Sequence, residues 1–326
     1  MMAGMISRHA DFPPLPQAGE GRGEGNAPCF PGVPPSPRKP LSLHPSPACG
    51  GGEPGWHARL DLGFERRTGA TVLSRREHFG PLRVQKALYP EGEAVCHAIV
   101  LHPPSGIAGG DHLEIGVRVA AGAQALLTTP GAGKWYRSAG PEASQALDFR
   151  VAAGGCLEWL PQETIVFDAA RARMDTRVAL AGGARFLGWE VLCLGRRAAG
   201  ERLAHGALNL ATRVERDGRP VWLERGRVEG GGDLLDSPAG LAGFSVAGTL
   251  LASGAEVGPE QLAACRAVPP AEPGARAALT ALPDLLVARY LGHSSEAARR
   301  WFTELWHVLR PVYAGREAVP PRIWNT

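Results

Sequence analysis

The sequence predicts a mainly β protein: a β-helix-like body of stacked β layers with two helices in its carboxyl-terminal third. Three observations lead there. Apolar residues alternate with polar or small ones through much of the chain, the period that buries one face of a strand. Glycine and proline are abundant, at 43 and 29 of 326 residues, which favours short strands and frequent turns over long helices. Gly122, Gly154 and Gly182 each follow a strand-like run at intervals of 32 and 28 residues, a near-repeat suited to stacked layers or a large sandwich.

The elements follow in chain order. From Phe12 to Gly55 there are 12 Pro and 9 Gly in 44 residues, too little apolar surface to offset the entropy of ordering. Residues 1–55 are therefore expected to be a disordered, dispensable tail, and 56–326 a single domain. Alternation starts at Leu60-Leu62-Phe64 and recurs at Leu82-Val84, Ile99-Leu101, Leu113 to Val119, Leu147 to Val151 and Met174 to Leu180. Asp217-Gly218, between the runs Leu208 to Glu215 and Pro220 to Val228, suits a tight hairpin turn. Pro259 to Val268 places Pro at a first helical position, and Leu285 to Leu291 reads as a buried strand. Ser294 to Arg310 is the second helix: Ser294 can cap it, Ala298, Trp301, Leu305 and Val308 form one stripe, and Pro311 is expected to close it. The helical portion spans about 258–311.

Bulk properties exclude several classes. The formal charge of +3 is small for this length, and without a block of like charges there is no electrostatic footprint for nucleic acid. No run approaches the ~18 apolar residues of a membrane span, and Met1 to Phe12 lacks the apolar core of a signal peptide. Cys29, Cys49, Cys96, Cys156, Cys193 and Cys265 form no CxxC pair and lack His at zinc spacing. The expectation is a reduced, cytoplasmic protein with free thiols.

The motifs point away from catalysis. Gly131-Ala132-Gly133-Lys134 lacks the spacing of a phosphate loop, because Thr128 and Trp135 stand where Gly and Ser or Thr are needed. The better reading is a tight turn that presents Lys134, Trp135, Tyr136 and Arg137 to a protein partner. Gly243-Phe244-Ser245-Val246-Ala247 lacks the last Gly of a nucleophile elbow. A β-rich hydrolase or transferase, or a generic interaction module, stays as the alternative. Glu158, Glu163, Glu190 and Glu201 sit beside large apolar residues or glycine, where burial demands a partner, a proton or a water-filled channel. His97, His102, His112 and Cys193 each read as structural before metal-binding. Trp301, Phe302 and Trp306 are more aromatic area than one helix stripe needs, and with Arg322 and Trp324 they are expected at a partner surface.

Four segments, LHPPSGIAGGD from Leu101, LTTPGAGKWYRS from Leu127, LEWLPQETIVF from Leu157 and GWEVLCLGR from Gly188, with PPRIW closing at Trp324, resemble the urease accessory proteins called UreD or UreH. The resemblance runs from about Trp56 to the carboxyl end. It implies a β-helical body with a small helical portion and no catalysis. It also implies a scaffold that binds apo-urease, recruits UreF and through it the GTPase UreG, and offers an internal path for nickel. No tightly bound cofactor is implied, only transient passage of Ni2+, and oxygen ligands suit that because a closed His and Cys site would hold nickel too tightly. By position, the path residues implied are Glu93, Asp111, Thr128, Glu158, Glu163, Glu190 and Glu201, with Asp111, Glu158 and Glu163 the foremost. Two departures stand out: Ser105-Gly106 where relatives read two glycines, and His112 where many carry an acid. A chain beginning near Gly55 is expected to restore urease activity to a host lacking this gene; a well-expressed but inactive truncation would refute the dispensable tail.

Overall fold

The computed structural model describes residues 55–325; all of the expected tail but Gly55 lies outside them. The chain enters as a hairpin, β1 (His57–Arg67) and β2 (Ala70–Phe79), followed by the short β3 (Arg83–Val84) and β4 (Val95–Leu101). Three similar coils come next. β5 (His112–Val119), β6 (Gln124–Thr128) and β7 (Gly133–Trp135) make the first, and β8 (Ala143–Val151), β9 (Cys156–Trp159) and β10 (Thr164–Val166) the second. The third holds β11 (Arg171–Leu180) and β12 (Arg185–Leu194). A hairpin of β13 (Ala207–Arg216) and β14 (Arg219–Glu229) and then β15 (Val246–Ser253) lead to α1 (Pro259–Ala267). The hairpin β16 (Arg276–Leu282) and β17 (Leu285–Gly292) precedes the long α2 (Ser295–Ala314).

Each coil lays one strand on each of two sheets. The seven-stranded sheet runs β14-β13-β11-β8-β5-β1-β2, and the ten-stranded one runs β16-β17-β15-β12-β9-β6-β4-β3 with β7 and β10 attached through β12. Neighbouring coils pair in parallel, β1 to β5, β5 to β8, β8 to β11 and β11 to β13 on one sheet, β4 to β6, β6 to β9 and β9 to β12 on the other. This is the mainly β, stacked body that alternation and glycine spacing predict. The turns repeat as expected: Ala123, Gly155 and Ala184 each donate N–H to the carbonyl three residues back, at 3.1, 2.9 and 3.0 Å. Gly122 and Gly154 occupy the third turn position and Gly182 the second, with φ of 66°, 69° and 50°, the left-handed region where a Cβ is penalised.

Strand alternation divides the interior into two cores. Inward residues such as Leu62, Val117, Phe149, Val178 and Phe186 fill the space between the sheets. The opposite face of the ten-stranded sheet packs on the helices through Trp189, Leu250, Tyr290, Phe302 and Trp306. That second core answers the aromatic surplus of α2, since Trp301 and Trp306 are 3% and 0% exposed. They are core residues, which corrects their assignment to a partner surface.

Ser294 Oγ accepts the N–H of Ala297 at 3.1 Å, capping α2 as its position predicts. Pro311 does not end the helix, which continues to Ala314 before Gly315 closes it with φ 69°. Proline removes one helix hydrogen bond, but Tyr313 and Ala314 beyond it are buried in the second core or at its edge, and their packing holds the added turn. No described helix is long and apolar enough to cross a membrane.

Candidate functional site

Between the two sheets the core is hollow. A cavity of about 630 Å³ is lined by inward residues of both, and most of its wall is apolar. Its chemistry comes from one row of polar residues on each sheet. On the seven-stranded sheet, Thr176, Thr212 and Glu224 are register partners on β11, β13 and β14. On the facing sheet, Glu190, Thr249 and Arg289 are register partners on β12, β15 and β17. All six line the cavity. The rows meet where Arg289 Nη2 donates to Glu224 Oε1 at 2.7 Å, while Arg289 Nη1 donates to Thr249 Oγ1 at 2.6 Å.

Glu190 is the unusual member. It is half-buried only because it opens onto the cavity, and its carboxyl is otherwise walled by protein. Burial, and then the negative charge of Glu224, push its pKa up to about 7 from an ordinary 4.5. It is therefore a carboxyl divided between its acid and its anion near neutrality. His102 also lines the cavity, and burial lowers its pKa against the pull of Asp111, which leaves a neutral imidazole. Among the described residues no three His, Cys, Asp or Glu converge to hold a metal tightly. What the cavity offers instead is spaced oxygen donors.

The four motif segments surround this space. His102, Ser105 and Gly106 come from the first, Thr129 to Trp135 from the second, Trp159, Gln162 and Thr164 from the third, Gly188, Glu190 and Leu192 from the fourth. Ser105, Gly131 and Gly133 are exposed as well as lining, so the cavity reaches the surface between the first two segments. Their loops are joined locally: Ile107 N donates to Lys134 O at 2.7 Å and Tyr136 N to Ile107 O at 2.9 Å. Tyr136 packs so closely on Gly106 that a Cβ there would fall 2.2 Å from its ring. Ser105 takes φ 65°, a left-handed backbone state that glycine would adopt without strain.

The sequence-predicted residues separate into distinct settings. Glu190 lines the cavity and Lys134 stands at its mouth. Trp135 is 1% exposed and packs in the inter-sheet core, a correction to its expected display on a turn. Tyr136 is half-buried edge-on against Phe167, with ring centres 5.2 Å apart, and Arg137 is exposed. Asp111 closes its own loop, accepting from Trp56 N and Ala108 N at 2.8 Å each. Glu163 pairs with Arg299 of α2 at 3.2 Å, Glu201 with Arg196 at 2.6 Å, and Glu93 is exposed.

Glu158 faces the other way. Leu157 and Trp159 point into the inter-sheet core, so Glu158 between them lies under α2, 3% exposed. There it accepts Trp306 Nε1 at 2.6 Å and Arg310 Nε at 3.0 Å. Arg310, 0% exposed, also donates to both oxygens of Glu91 at 2.6 and 2.7 Å, and Glu91 meets His97 Nε2 at 2.5 Å. Burial opposes the charge on Glu91, yet hydrogen bonds from His97 and Arg310 hold its pKa down to about 2. Asp111, Glu158 and Glu163 are thus not brought onto one path: strand parity turns Glu158 to the outer face of its sheet.

Thr128 shares that outer face. Its hydroxyl donates to Leu160 O at 2.6 Å and accepts Trp324 Nε1 at 2.8 Å. Trp324 is half-buried, 5.8 and 6.0 Å from the rings of Trp189 and Trp306, while Arg322 is exposed. The closing segment therefore clamps the second core. Removing residues 318–326 is expected to cost about 1–2 kcal/mol of stability through lost aromatic burial, read as an earlier urea midpoint; an unchanged midpoint would show that the clamp is idle.

Sequence reasoning missed Glu224, Arg289, Thr176, Thr212 and Thr249. Thr176 carried a signal, a hydroxyl at an inward position of the alternating run Met174 to Leu180. The other rungs require the register.

The chain matches the family model described as UreD urease accessory protein over residues 57–325. Urease accessory protein UreD of Dechloromonas aromatica is 62% identical over 277 residues, covering 84% of this chain and 96% of that protein. The UreD of Azoarcus sp. is 59% identical over 274 residues, with coverage of 84% and 95%. That of Pseudomonas aeruginosa is 53% identical over 287 residues, with coverage of 88% and 98%.

Proposed function

This chain belongs to the UreD urease accessory protein family, whose members are non-catalytic factors of urease maturation, and from that premise we propose that it is a nickel-passing scaffold. It binds apo-urease in the cytoplasm, recruits UreF and through it UreG, and lets Ni2+ cross its β body in transit. The observation that carries this reading is the inter-sheet cavity with its two polar rows, ringed by all four motif segments.

The chemistry favours transit over storage. Nickel stands high in the divalent affinity order, so several imidazoles or thiolates would retain it. Carboxylate and hydroxyl oxygens spaced along an otherwise apolar wall give weak, exchangeable steps. Glu190 is the path residue placed best for this, since it alone among the six named acids and Thr128 opens onto the cavity between the rows. Asp111, Glu163 and Glu201 support loops and ion pairs around it.

The test is Glu190→Leu in co-expression with urease, UreF and UreG. The assembled complex is expected to co-purify at its normal yield, while nickel in the urease falls by more than half. Full nickel loading from an intact complex would overturn the path and leave the scaffold. Loss of co-purification would make Glu190 an assembly residue instead.

A further inference from the structure

We propose that the cavity has a second mouth, on the side of the β sandwich at Gly226, narrowed by the Glu224–Arg289 ion pair beside it. The proposal concerns access to the cavity, and its value as a route rests on the nickel-passing reading.

Three observations place it. β14 is the free edge of the seven-stranded sheet and β17 lies one strand in from the edge of the other, so Glu224 and Arg289 face each other where the sandwich is open at its side. Gly226 lies two residues beyond Glu224 on the same inward face, as register partner of the cavity-lining Leu210. It is exposed, and a Cβ built there meets nothing within 4 Å. A position that lines an interior cavity, touches solvent and has empty space where its side chain would be is a gap in the wall.

The ion pair stands beside that gap. Glu224 is held by Arg289 through one oxygen and by Trp222 Nε1, at 3.3 Å, through the other. Arg289 is tied back to Thr249 and sits 5.8 Å over the Trp222 ring. Its side chain is 42% exposed and that of Glu224 33%. A pair so exposed is weak enough to open thermally. When it parts, Arg289 keeps an alternative seat on Trp222 and Glu224 turns an acid toward the opening. A small hydrated cation is the class of ligand that such a doorway admits, because it can take the place of the guanidinium on Glu224.

Access can be read without urease or nickel. In Thr212→Cys the thiol sits inside the cavity, and its modification by the cationic reagent 2-aminoethyl methanethiosulfonate is followed by mass spectrometry, with the parent chain as blank. Adding Arg289→Ala is expected to raise the rate about five-fold, the factor that an ion pair of this exposure contributes to an open–closed equilibrium. Adding Gly226→Leu instead is expected to lower it, since the side chain fills the gap and Gly226 has no left-handed backbone to strain. If removing Arg289 impairs folding, Glu224→Gln with Arg289→Gln removes both charges and carries the same expectation. Equal rates in all variants would overturn the proposal, as would a rise on opening the pair with no fall on filling Gly226. Those rates stand or fall separately from the nickel content of urease in Glu190→Leu.

Discussion

Arg310→Met is expected to destabilise the fold by about 3–5 kcal/mol, the largest effect of any single substitution considered for this chain. Arg310 is fully buried and is the only described cation that Glu91 and Glu158 share. Without it two carboxylates remain in the second core with only His97 and Trp306 as partners, and buried charge is left uncompensated. The measurement is a urea unfolding curve at neutral pH. A loss below about 1 kcal/mol, the scale of surface pairs, would show that the cluster is hydrated. The pH dependence has a definite sign. Glu91 is held near 2 in the fold against an ordinary 4.5, so its contribution is complete above pH 4.5 and is lost as pH falls toward 2. The part of the Arg310→Met disadvantage that comes from Glu91 should therefore disappear in strong acid.

Glu190→Gln is expected to act in the opposite direction, raising stability by up to about 3 kcal/mol above pH 7, and by less where cavity water solvates the carboxylate. The folded pKa near 7 exceeds the ordinary 4.5, so the unfolded chain gives up this proton first. Stability from this residue is intact below pH 4.5 and erodes as pH rises to 7, where the fold must accommodate the anion. Unfolding curves of parent and variant at pH 4 and pH 8 decide it. A difference that does not grow with pH would show that the carboxyl is solvated as in water. The same substitution keeps the size of the side chain and removes the charge, which separates a role of the anion in nickel transit from a role of cavity shape.

The alternation of Leu113 to Val119 and Met174 to Leu180, the glycine turns and the Ser294 cap were all legible, because each depends on neighbours in sequence. Which way an acid faces was not. Glu158 and Glu190 both sit beside tryptophan in strands, and they look alike as text. In β12 nearly every residue is apolar because both faces are buried, so parity cannot be read and Glu190 could not be assigned inward. The Glu224–Arg289 pair joins residues 65 apart, and no local pattern announces it. The aromatic surplus of α2 is visible in the sequence but its destination is not, since nothing in the helix tells that a sheet covered on both faces waits for it.

Both sheets share a feature that governs the behaviour of the molecule in a crowded cell. Their parallel centres are bounded on each side by antiparallel partners: β1–β2 and β13–β14 close one, β3–β4 and the β15–β17–β16 meander close the other. A parallel stack presents at each end the same unsatisfied donors and acceptors that joined its coils, and another chain could continue it without limit. Reversing the last strand breaks that template, and Arg75, Arg76 and Glu77 on β2 with Arg225, Arg227 and Glu229 on β14 add charge along the outermost rows. The hairpins thus make a finite particle out of a design that would otherwise grow into a filament.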